Sequence, residues 1–192
     1  GGLIESDSSI KVSTLSANSL NIDDTNSVLV VGGNYSAIST ASADKAIQLW
    51  LKKVCNKAAR FGSICSGAFV LAAANLLENR ACTTHWVAAK KLQEMYPGAE
   101  VQPESLYVID GNLWTSAGVT TGLDMALEMV RLDLGNDIMT EIAKRLVVYA
   151  HRPGNQSQFS NLLNLQSRSD STYSNLLAWI DDHIDQSINV VE

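Results

Sequence analysis

The 192-residue chain is poor in several residue types, with three cysteines, three histidines and three prolines. Cys55, Cys65 and Cys82 form no CxxC pair and are odd in number, which speaks against a disulfide framework; reduced thiols in a cytoplasm are expected. His85, His151 and His183 show no HxH or HxxxH spacing, so no metal site is expected. No apolar run approaches the roughly 20 residues of a membrane helix, and the opening GGLIESDSSI has neither the basic stretch nor the apolar stretch of a signal peptide. No membrane partner is therefore expected. Cationic charge is scarce too, the net charge being -6, so these residues make a poor electrostatic partner for nucleic acid. Any DNA contact would come from another segment. What is present, 46% hydrophobic and 18% charged residues, suits one well-packed domain and excludes wholesale disorder.

The pattern along the chain alternates. SVLVVGG (Ser27 to Gly33) is a β-branched run stopped by two glycines and predicts a fully buried parallel strand. Ala43, Ile47, Trp50, Leu51, Val54 and Ala58 recur at three- and four-residue intervals and predict an amphipathic helix. Phe61 to Ile64 predicts a second strand, and the Ala- and Leu-rich segment from Gly67 a buried helix. RACTTHW (Arg80 to Trp86) reads as a strand ending in a turn, and Val87 to Tyr96 as a helix stopped by Pro97-Gly98. Asp110-Gly111 between two apolar runs predicts a β-hairpin. Helices are expected over Thr121 to Leu134 and Ile138 to Ala150, before RPGNQSQFS breaks the pattern. The fold class is thus α/β, a mostly parallel sheet with helices on both faces and a hairpin.

In such sheets ligands bind at the carboxyl ends of the strands, where Gly32, Gly33 and Cys65 all fall. A cysteine on a tight strand-to-helix turn is held clear of the sheet, and Ser66, Gly67 and Ala68 leave room for a close approach. The N–H groups of Gly33 and Ser66 would then suit an oxyanion hole. Cys65 is equally readable as a small hydrophobe filling a crowded turn. His85 and Trp86 are candidates for the same pocket, against an ordinary structural histidine. Ser116, Gly118 and Val119 offer a small-residue wall, against a plain strand end and a helix start capped by Thr120 or Thr121. Spacing leaves each pair of alternatives open.

SICSGAFVLAAANLLENRACTTHW, VIDGNLWTSAGVTTGLDMALEMV and AKRLVVYAHRPGNQSQFS, in that order, resemble the PfpI-type, amidase-like domain of AraC-family transcriptional regulators. The resemblance implies a class I glutamine amidotransferase-like, flavodoxin-like fold with Cys65 at the elbow. It implies a sensing domain over residues 1–159, a polar linker over 160–172, and at 173–192 the opening of a truncated AraC-type helix-turn-helix domain. The helical stripe of Leu176, Leu177, Ile180 and Ile184 accords with the last of these. By the same resemblance the domain is a homodimer that binds a small effector, amino-acid-like or quaternary-ammonium in character. It takes no cofactor and reaches DNA only through the missing C-terminal domain.

Two departures from the family pattern bear on the chemistry. The βα unit that normally opens the family is absent ahead of GGLIESDSSIKV, and with it the acidic residue that meets the cysteine in related enzymes. Where those enzymes often place histidine next to the cysteine, position 66 is Ser, which leaves His85 as the candidate base. The expectation is therefore a sensor without catalytic residues. The alternative is a cysteine-dependent hydratase or amide hydrolase of isonitrile-hydratase type, using Cys65 and His85.

Overall fold

The computed structural model describes residues 1–6 and 9–158 together with Trp179. The expected linker at 160–172 and the expected helix-turn-helix opening at 173–192 lie outside the described residues, Trp179 apart. Gly1–Gln156 form one compact unit.

The unit begins with a surface hairpin, β1 (Gly2–Glu5) against β2 (Lys11–Thr14), paired antiparallel from Gly2↔Thr14 to Glu5↔Lys11. Its Leu3, Ile4 and Val12 are exposed. The main sheet takes β3 (Ser27–Val31), β4 (Arg60–Ile64), β7 (Tyr107–Asp110) and β8 (Leu113–Ser116) in the order β3-β4-β8-β7. β3, β4 and β8 are parallel, in the register Val28↔Phe61 and Phe61↔Leu113. β7 and β8 form the hairpin expected at Asp110-Gly111, where Gly111 takes the left-handed φ that such a turn demands. A smaller pair, β5 (Ala81–Cys82) and β6 (Glu100–Val101), runs parallel.

Both sheet faces are covered, because the strands alternate what they bury. On one face Phe61 and Leu113, with the half-buried Val28 and Val30, pack against α2 (Lys45–Cys55) and α3 (Ala68–Ala73) through Leu51, Val54, Val70 and Leu71. On the other, Leu29, Ile64 and Trp114 meet Met125 and Met129 of α5 (Val119–Leu134). α1 (Tyr35–Ala43), α4 (Trp86–Met95) and α6 (Asn136–Arg145) complete the unit.

Three expectations need correction. SVLVV is half-buried rather than fully buried, because β3 is the sheet's edge strand among the described residues and Val31 is 66% exposed. The helix expected from Ala43 starts at Lys45, since Asp44 stops α1 and caps α2 with its carboxylate on the N–H groups of Ala46 and Ile47. The helix expected to reach Ala150 ends at Arg145, beyond which Val147 turns left-handed.

Candidate functional site

The parallel strands β3, β4 and β8 end side by side, and the candidate residues sit where they stop. β4 ends at Ile64, and the chain turns at once through a short 3-10 segment, Cys65–Gly67, into α3. Turning that tightly puts Cys65 at φ +58°, a left-handed conformation that non-glycine residues rarely hold. Three contacts lock it. Thr84 Oγ1 donates to the Cys65 carbonyl at 2.8 Å, the Gly32 N–H donates to the Ile64 carbonyl at 2.9 Å, and Ser66 Oγ reaches the Gly33 backbone. A Cβ on Gly32 would lie 2.7 Å from Ser66 Oγ, so the two strand ends approach this closely only with glycine there. Gly67 is more crowded still, its missing Cβ falling on the Val30 carbonyl.

Ser66 engages one of the two N–H groups an oxyanion hole would need. Its Oγ accepts from the Gly33 N–H at 3.2 Å and donates to the Gly33 carbonyl at 3.2 Å, so that N–H already has a partner. His85 caps α4, its Nδ1 3.4 Å from the Val87 N–H, and its ring stacks on Trp86 at 5.6 Å between centroids. The His85 ring also faces Gly118, 3.8 Å from where a Cβ would stand. Among the described residues no hydrogen bond joins the Cys65 thiol to an imidazole or a carboxylate. Burial pushes Cys55 and Cys82 up to about 12, Asp110 and Glu100 adding to the effect at Cys82, so neither thiol is a nucleophile. Ser116 is fully buried, and its Oγ has no hydrogen-bond partner among the described residues. Trp86 and Val119 lie outward, Val119 being 86% exposed.

Six of the nine candidates therefore fall into two groups. Cys65, His85, Ser116 and Gly118 gather around the ends of β4 and β8. Gly33 and Ser66 instead line a cavity of about 490 Å³ between α1, α3 and α4, walled by Ile38, Phe69, Met95 and Tyr96. Sequence reasoning missed this cavity and the hydroxyl of Thr84. Thr84 stands within TTHW, but its burial and its bond to the Cys65 carbonyl arise only in the folded chain, so the motif carried no signal for it. It also missed Asp124, which is 3% exposed and binds Arg152 Nη2 at 2.6 Å and the Arg152 N–H at 3.1 Å. This pair straps the RPG segment to α5, and the Gly154 carbonyl accepts from the Leu106 N–H just ahead of β7.

A mostly parallel sheet, a left-handed cysteine elbow and a hydroxyl bridge to a neighbouring glycine turn define an elbow-cysteine α/β domain. The sequence pattern of the DJ-1/PfpI family matches residues 4–132, about two thirds of the chain, and the chain belongs to that family. It is 29% identical over 147 residues to the HTH-type transcriptional regulator CdhR of Pseudomonas aeruginosa, covering 77% of this chain and 44% of that protein. Over 91 residues it is 36% identical to the isonitrile hydratase of Pseudomonas putida, covering 47% of this chain and 38% of that enzyme. Among solved structures, a THiJ/PfpI family protein from Pseudomonas syringae is similar with a TM-score of 0.67 at 26% identity, covering 94% of this chain and 70% of its own. The chain thus spans less than half the length of these two curated relatives.

Proposed function

We propose that this chain is the small-metabolite-sensing and dimerising domain of an AraC-type transcriptional regulator, acting in the cytoplasm. DNA contact then belongs to a separate domain that follows a linker at 160–172 and opens at 173. The observation that carries the reading is the cavity of about 490 Å³ beside the elbow, a size ordinary for small-molecule sites. Its walls hold neither Cys65 nor His85, and the N–H of Gly33 is spent on Ser66, so binding is provided for without an assembled acid–base pair. The net charge of -6 accords with a domain that does not itself grip DNA. Likeness to a regulator over 77% of the chain points the same way. An effector acts by binding one arrangement of the protomers better than another.

The test is ligand-observed NMR of the chain with a pool of small nitrogenous and carboxylated metabolites, followed for hours beside Cys65→Ala. A compound that binds saturably and stays chemically unchanged is expected. A compound consumed by the wild type and spared by Cys65→Ala would overturn the sensor reading. It would favour the second reading, a cysteine-dependent hydratase or hydrolase, to which the likeness to isonitrile hydratase speaks. There the Cys65 thiolate attacks and His85 or a water moves the proton.

A further inference from the structure

We infer that the cavity between α1, α3 and α4 takes a small organic monocarboxylate with an apolar body. The inference rests on the sensing role proposed above and adds the chemical class of the ligand. Its basis is the charge inside the cavity. Among the described residues no carboxylate lines it, and the one ionic side chain there is Lys91 of α4. Lys91 has no ion-pair partner among the described residues, whereas its neighbour Lys90 pairs with Glu94 at 3.8 Å. The Lys91 Nζ sits 4.9 Å from the Tyr35 ring centroid, a cation–π contact that steadies the long side chain at the rim.

Ser42 of α1 also lines the cavity. Its Oγ has no hydrogen-bond partner among the described residues, but it is shut from solvent and presents no surface to a ligand. The Lys91 ammonium suits an anionic oxygen group, and the wall, apolar apart from small serines, suits hydrocarbon. Ile38, Phe69, Met95 and the Tyr96 ring offer no second charge and no acid that would hold a cation. A quaternary-ammonium ligand, by contrast, would meet Lys91 as a like charge, and the Tyr35 face it would prefer is already covered. The monocarboxylate is the better match.

The probes are phenylacetate and isovalerate, with phenethylammonium and choline as cationic counterparts, titrated into the 192-residue chain by calorimetry and by NMR of the Ala43 and Ala88 methyl groups. Phenylacetate or isovalerate is expected to bind saturably, at least tenfold more tightly than phenethylammonium. Lys91→Gln, an exposed position, is expected to weaken carboxylate binding about tenfold without moving the melting temperature. The inference is overturned if neither carboxylate binds at millimolar concentration, if a cationic probe binds as tightly, or if Lys91→Gln leaves affinity unchanged. The two readings fail separately. Choline in the cavity, unchanged after hours, would remove the carboxylate and leave the sensor. Carboxylate binding that depends on Lys91, beside turnover of another metabolite by Cys65, would keep the ligand class and remove the sensor.

Discussion

Burial holds the Cys55 and Cys82 thiols protonated to about pH 12, whereas Cys65 is partly exposed on its turn. With a disulfide reagent at pH 8, one thiol is expected to react quickly in the folded chain and three after unfolding, and Cys65→Ala is expected to abolish the fast phase. The same burial links stability to alkaline pH. The folded chain keeps these two protons longer than the unfolded chain, whose thiols titrate near the ordinary value of 9.0. Their contribution is whole below pH 9 and is lost as pH rises toward 12. Urea midpoints should fall more steeply above pH 9 in the wild type than in a Cys55→Ala/Cys82→Ala double variant. Glycine positions make a sharper prediction. Gly67→Ala drives a methyl into the Val30 carbonyl, so a loss of about 3 kcal/mol is expected in chemical denaturation.

Among the elements, α6 ends on a conflict. Val147 stands left-handed at φ +56°, its N–H bonded to the Lys144 carbonyl, and is 88% exposed. A β-branched residue there costs about 1–2 kcal/mol relative to glycine in that conformation, and exposure means little packing would be lost. Val147→Gly is expected to stabilise the chain by about 1 kcal/mol, read as a rise in melting temperature. How legible the elements were follows from what each buries. α2, β4, β8 and α5 carry apolar residues at helical or strand period because they face the core, so their patterns announce them. α1, with YSAISTASA, has no buried residue and no apolar stripe; Asn34, whose side chain accepts from the Ala37 N–H, starts it. The β1–β2 hairpin is likewise exposed and shows no alternation in its burial. The elbow was readable because Cys65 follows an apolar run and precedes small residues. The cavity was not, since its walls come from three helices distant in the chain.

For the molecule as a whole, the strap formed by Asp124 and Arg152 fixes where the compact unit finishes. Asp124→Asn removes the charge from a carboxylate that takes three hydrogen bonds from Arg152. The Leu106 amide, bonded to the Gly154 carbonyl at 2.8 Å, should then exchange with deuterium about tenfold or more faster, while the Ala74 amide in the core keeps its rate. A uniform acceleration at both amides would show that the pair supports global stability instead. Sheet order carries a further consequence, one of timing. β4 lies between β3, which is made before it, and β8, whose residues come about 50 positions later than their partners on β4. At a synthesis rate of about 5–20 residues per second, the strand that ends in Cys65 waits roughly 3 to 10 s for its second neighbour. During that interval the nascent chain offers β4 with one ladder of backbone groups unpaired, and a ribosome pausing between α3 and β8 would lengthen the period in which another strand can take the vacant place.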